Sequence, residues 1–275
     1  MTRLAPVISL SHGGGPMPLL GDPSHAAITK SLQKKVPKIL KLGTPEAPKA
    51  IVLVTAHWST SKVTISSGSK HELLYDYYGF PPESYQIKHD APGSPEAAEQ
   101  VAKALKEAGI DCEKDAKRPW DHGVFVPMKL IDPAATTPII QLSVLSSESA
   151  AQSYAIGRAL SVLRSQNIAI VGSGFATFHN MRLFGQLASP TLKAQNVEWS
   201  QSVTNAALTD NDKEREEKFV HWRNWPNAYT MHPKGGAEHF LPLIVCAGAA
   251  GETKGRSYSD NFIGADMWSY YWDEQ

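Results

Sequence analysis

The chain has 275 residues, with 27 basic and 27 acidic side chains, a hydrophobic fraction of 42% and a charged fraction of 20%. That balance excludes a largely disordered chain, and a formal net charge of zero leaves no basic field to hold a nucleic acid. Two cysteines far apart, Cys112 and Cys246, exclude a disulfide framework and point to a reducing compartment.

Taken in chain order, the first ten residues lack the apolar core and cleavage site of a secretory signal, so a cytoplasmic protein is expected. Residues 6–11 form the first apolar run, 50–56 the clearest and 63–66 the next. Such continuous β-branched runs predict strands covered on both faces. The aromatic stretch 74–82 is too rich in Gly and Pro for a regular helix; it either walls a pocket for a flat ring or packs on itself. Ser94 as cap, Pro95 in the first turn and Glu96 beside the dipole predict a helix with a buried stripe through Ala97, Val101, Ala104, Leu105 and Ala108, ended by Gly109. The segment from Trp120 to Gly123 reads as turn-like and precedes a strand over 138–144. A second helix over 149–166 delivers the chain into a strand at 168–171, with a turn at Gly172-Ser-Gly174. Mixed charges over 212–218 fit a solvated helix face. The apolar run 241–250 falls well short of the ~18–20 residues that span a bilayer, so no membrane association is expected. Residues 268–272 fit an edge strand or a dimer contact. With no repeat and no linker, this alternation predicts one α/β domain over residues 1–275, its central mixed, largely parallel sheet flanked by helices.

The ten histidines are informative by position. His12 follows the first strand, His57 the second, and His179 the strand at 168–171. Open α/β sheets bind ligands beyond the carboxyl ends of their strands, so these three side chains can converge. Neutral imidazole is the commonest protein ligand for Zn(II) and also serves Fe(II), which makes the set a candidate metal site. A lone histidine at a strand end is more often structural; the shared placement favours the metal. The glycines after His12 let backbone and substrate approach closely. His122 lies in the turn-like segment, and His239 at the start of an apolar helix. His25, His71, His89 and His221 are assigned to surface or pocket walls, and His232-Pro233 fits a structural turn.

Other chemistry fails on missing partners. His12-Gly-Gly-Gly15 matches an oxyanion loop of α/β-hydrolases, but the chain has no Gly-x-Ser-x-Gly elbow. Gly172-Ser-Gly174 cannot complete a dinucleotide fingerprint because Thr177 stands at the third glycine position. The chain also lacks a phosphate loop and a His-Glu-x-x-His helix.

Ser11-His-Gly-Gly-Gly-Pro16, Ala56-His-Trp58, Gly79-Phe-Pro81, Ala91-Pro-Gly-Ser-Pro95, Asp121-His-Gly123, Gln141-Leu-Ser143, His179-Asn180 and Glu238-His-Phe-Leu-Pro-Leu243 occur in this order. As an ordered set spanning nearly the whole chain, they resemble the class III extradiol ring-cleavage dioxygenases, specifically the DOPA 4,5-dioxygenase-like branch. The resemblance implies a single-domain fold with one divalent metal ion, Fe(II) for catalysis, although Zn(II) can occupy such a site. It implies His12, His57 and His239 as metal ligands, with His179 either a fourth ligand or a catalytic base, and His122 as a catalytic residue that orients or protonates the substrate. Relatives that cleave protocatechuate complete their ligand set with a glutamate, so either Glu238 or His239 can face the metal. The implied partners are a small catechol such as DOPA and dioxygen, with no nucleic acid and no membrane, in a monomer or homodimer. A substrate amine would need a carboxylate such as Asp76 or Asp121. Two alternatives stand beside this reading: a zinc-dependent hydrolase using metal-bound hydroxide, and a non-catalytic metal- or small-molecule-binding relative.

Overall fold

The computed structural model describes residues 3–274. Its apolar runs assemble as β1 (Val7–Ser11), β2 (Ala50–Thr60), β3 (Val63–Ser66), β4 (Cys112–Asp115), β5 (Ile139–Leu145), β6 (Ile168–Gly174), β7 (Gly255–Phe262) and β8 (Ala265–Trp272). They form an eight-stranded sheet of order β4-β3-β5-β2-β6-β1-β8-β7. The central strands β5, β2, β6 and β1 are parallel, while β3 meets β5, and β8 meets β1, antiparallel. This is the mixed, mostly parallel α/β sheet that the apolar runs predict, and Ile51, Val52, Leu53 and Val54 at its centre are wholly buried.

Nine α-helices lie among the described residues: α1 (Ala26–Lys34), α2 (Val36–Ile39), α3 (Pro95–Glu107), α4 (His122–Ile131), α5 (Ala150–Leu160), α6 (Pro190–Ala207), α7 (Asp212–Val220), α8 (Ala228–Met231) and α9 (Leu241–Ala250). Both sheet faces are covered, and β6 shows how. A Cβ on Gly172 would strike Pro242 and Cys246 of α9, whereas Ser173, pointing the other way, donates to the Gly123 carbonyl of α4. The Ser94 side chain caps α3 as expected, accepting from Ala97 N at 3.1 Å. Helix α5 passes into a 3-10 segment, Ser161–Gln166, before β6. Among the described residues, no helix is long and apolar enough to cross a membrane.

Three expectations change. Gly172-Ser-Gly174 is not a turn but the last stretch of β6, its glycines allowing α9 to lie close on the strand. Residues 268–272 belong to β8, which lies between β1 and β7 and is not an edge. The edges are β4 and β7, whose polar sequences carry no strand signal. His122 opens α4 rather than sitting in a turn, because Asp121 supplies an extended cap residue before it.

Candidate functional site

The central parallel strands end at one rim, and the histidines gather there. His12 leaves β1 at its carboxyl end, its N–H donating to Gly174 O at 3.2 Å. Strand β2 pairs with β5 up to Thr55 opposite Ser143 and resumes only at Ser59 opposite Val144. The intervening bulge turns His57 toward His12, the usual work of a bulge beside a site. His239 stands just before α9, and its carbonyl accepts from Phe175 N at 3.1 Å as β6 ends. His179 lies in the loop beyond β6, with its N–H bonded to Met231 O at 2.9 Å.

The structure brings His12, His57 and His239 together: each offers one nitrogen, and the three lie within 4.8 Å of one another. His57 Nε2 stands 3.2 Å from His12 Nε2 and 3.2 Å from His239 Nε2. Their neighbours set the tautomers. Because Ser173 Oγ spends its hydrogen on the Gly123 carbonyl, it accepts from His12 Nδ1 at 3.0 Å. His239 Nδ1 donates to Glu238 Oε1 at 2.9 Å. Both Nε2 atoms therefore carry lone pairs, and His57 can bring at most one hydrogen to two contacts. A divalent cation resolves that conflict. Nitrogen ligands about 2.1 Å from one ion stand about 3.0 to 3.4 Å apart, which matches the spacing here. Burial pushes the His12 and His239 imidazoles well below their ordinary pKa and His57 to about 3, so all three are neutral donors at pH 7. The residues fit a metal ion. Of the pair at 238–239, His239 turns its nitrogen toward the other two histidines, and Glu238 holds it there.

His179 stands to one side. Its ring stacks on His239 with centroids 3.4 Å apart, and its Nδ1 lies 3.3 Å from Glu238 Oε1. It groups with Glu238 and His239 but not with His12 and His57. Burial first, then His122, lowers its pKa to about 4. His122 packs on His57 with ring centroids 3.8 Å apart, and its Nδ1 donates to Asp76 Oδ1 at 2.8 Å. Asp76 Oδ2 is 3.6 Å from His57 Nδ1, so one carboxylate steadies two rings. Burial raises the Asp76 carboxyl, but its hydrogen bonds and charge contact with His122 outweigh that and hold it below the usual range. Asp121 is wholly buried, accepting from Thr55 Oγ1 at 2.7 Å and Gln141 Nε2 at 2.6 Å; burial pushes it up to about 6. Neither aspartate is among the residues that line the cavity beside the histidines.

The five histidines line a cavity of about 190 Å³ together with residues 13–15 and the side chains of Phe175, Phe178, Met181, Phe184 and Phe262. Residues 6–270 match the family described as the catalytic LigB subunit of aromatic ring-opening dioxygenase. The chain belongs to the LigB family. Among its relatives, dioxygenase tasH of Hapsidospora irregularis is 51% identical over 98% of this chain and 86% of its own length. The 4,5-DOPA dioxygenase extradiol of Beta vulgaris is 35% identical over 81% of each chain, and that of Escherichia coli K12 is 30% identical over 90% of this chain and 86% of its own. A crystal structure of an uncharacterized Escherichia coli K12 protein superposes with a TM-score of 0.74 at 28% identity, covering 98% of this chain and 99% of that one.

Within this LigB fold several supporting residues escaped the sequence. His25 is buried rather than a surface or wall residue: its Nδ1 donates to Asp22 Oδ1 at 2.7 Å, and its Nε2 accepts from Gly14 N at 3.0 Å. It thereby fixes the glycine loop after His12. His71 stacks on Trp120, His89 is buried, and His232 donates from Nε2 to Ala176 O at 2.8 Å. The one signal that could have found Thr55 and Ser173 is a recurrence of hydroxyl residues in the last turns of pleat of apolar strands, where Ser11 and Ser143 also lie.

Proposed function

We propose that this protein is an extradiol dioxygenase that opens the ring of a catechol with dioxygen, using one Fe(II) held by His12, His57 and His239. The observation that carries this reading is the pair of 3.2 Å contacts among three histidine nitrogens in a cavity lined also by phenylalanines. LigB membership and relatives named as dioxygenases support it. Bound iron would supply coordination positions for the catechol oxygens and for dioxygen, and the redox chemistry between them.

The remaining work falls to side chains of this chain. His179, neutral at pH 7 and with Nδ1 turned to Glu238, offers Nε2 as the base for a phenolic proton. His122, fixed through Nδ1 by Asp76, handles the proton on the opposite side as the ring opens. The phenylalanines exclude water and hold the ring flat against the histidines. Protein purified without oxygen and loaded with Fe(II) should consume oxygen with catechols and yield a coloured ring-opened product. His179→Ala should lower turnover by about 10²–10⁴-fold while the metal content is unchanged. Fully iron-loaded protein that takes up no oxygen across a catechol panel would overturn the assignment, and turnover with zinc alone would move it to hydrolysis.

A further inference from the structure

Resting on that reading, we infer that the catechol taken by this site carries an uncharged, apolar ring substituent, and not the zwitterionic side chain of an amino acid or a carboxylate. The cavity is lined by the five histidines, by residues 13–15, and by the side chains of Phe175, Phe178, Phe184, Phe262 and Met181. Among the described residues no Asp, Glu, Lys or Arg lines it. The two carboxylates nearest the histidines lie outside this lining and are turned to the imidazole rings. Asp76 Oδ1 accepts from both the backbone N–H and the ring of His122, and Oδ2 faces His57. Glu238 Oε1 is shared by the His239 and His179 rings at 2.9 and 3.3 Å. An ammonium or carboxylate brought against these phenylalanines would lose its hydration and find no countercharge, whereas an alkyl group would meet apolar side chains.

Size points the same way. An apolar protein cavity of about 150 Å³ takes up benzene, so about 190 Å³ holds one ring with its two hydroxyls and a short substituent. Met181 both lines the cavity and is 67% exposed, so a longer substituent can reach solvent beside it. The relatives named as DOPA dioxygenases share 30–35% of their residues with this chain over the aligned lengths. That similarity leaves room for the apolar lining to differ, and that lining rather than the histidines decides which substituent fits.

Two measurements test this, one through turnover and one without it. Oxygen uptake by the iron-loaded protein gives kcat/KM for 4-methylcatechol, 4-propylcatechol, DOPA, dopamine and 3,4-dihydroxybenzoate. Calorimetric titration of the zinc-loaded protein gives Kd for the same five without reaction. The alkylcatechols should lead by about tenfold or more in both. Met181→Arg, an exchange at an exposed position, should shift the preference about tenfold toward 3,4-dihydroxybenzoate. DOPA, dopamine or 3,4-dihydroxybenzoate matching the alkylcatechols in wild-type protein would overturn the inference and leave the dioxygenase assignment standing. Absence of oxygen uptake with all five would instead sink that assignment, and the Kd order would still decide the character of the lining.

Discussion

Each candidate ligand histidine is only as well placed as the group behind it. Ser173 and Glu238 hold the protons of His12 and His239 on Nδ1, which leaves Nε2 free to bind a cation. Such supporting partners are worth about 10–100-fold in metal affinity. Ser173→Ala and Glu238→Gln should each weaken Zn(II) binding by that order in a competition titration, with far-ultraviolet circular dichroism unchanged. Unaltered affinity in both would mean that the rings are oriented by packing alone. The histidines themselves were legible in the sequence because imidazole is scarce and three of them follow strands. Their partners were not, since Ser173 lies 161 positions from His12 and nothing local marks a serine as the acceptor of a distant ring. The role of Asp76 beside the rings was not legible either: it steadies His122 and faces His57.

At the scale of elements, the site depends on where α9 lies. Gly157 of α5 faces the Val245 carbonyl of α9, and Gly248 of α9 faces the Tyr154 carbonyl of α5, so the helices cross nearly backbone to backbone. A methyl group at Gly248 would push them apart. Overpacking of this kind costs about 1–3 kcal/mol, so Gly248→Ala should lower the urea midpoint and, by shifting the helix that follows His239, also weaken metal binding. Gly185, with open space around it, serves as the control, and Gly185→Ala should stay within about 0.5 kcal/mol of wild type. Equal stability of the two variants would mean that the crossing adjusts freely. Strands β2, β5 and β6 were readable because burial on both faces demands unbroken apolar runs. The hairpin of β7 and β8 was not. Its two-residue turn places Ile263 and Gly264 at φ of 51° and 75°, and isoleucine is an unusual residue for that geometry.

Across the whole molecule, buried neutral histidines tie stability to pH. Burial lowers His232 to about 3 and His89 to about 4, both far from the cavity histidines in role. Above about pH 6.5 these groups are neutral whether the chain is folded or unfolded. Below it the unfolded chain binds protons that the folded chain refuses, so stability falls as pH drops toward 4. Each group contributes up to about 1.4 kcal/mol per pH unit. Asp121, raised by burial to about 6, acts in the opposite sense: between about pH 6 and 3.9 the folded state keeps a proton that the unfolded state releases. In metal-free protein the cavity histidines, also lowered by burial, add to these two and together outweigh one aspartate, so the urea midpoint should fall between pH 7 and 5. His232→Gln, which can still donate to Ala176 O, should flatten that slope; a profile independent of pH would refute the account.

The order of motifs along this chain, the apolar runs and the histidines at strand ends were enough to predict an α/β sheet with a metal-type site and to point to the LigB family. Those features are local: a run of β-branched residues demands burial wherever it lies, and a chain must leave each strand at its carboxyl end. Tertiary structure alone decided that Glu238 supports while His239 faces its neighbours, that His179 stacks beside the trio, and that phenylalanines without a charged residue complete the cavity lining. Each of these is a relation between atoms brought together from separate loops, and hydrogen bonding, stacking and exclusion of water are set by distances that no spacing in the sequence encodes.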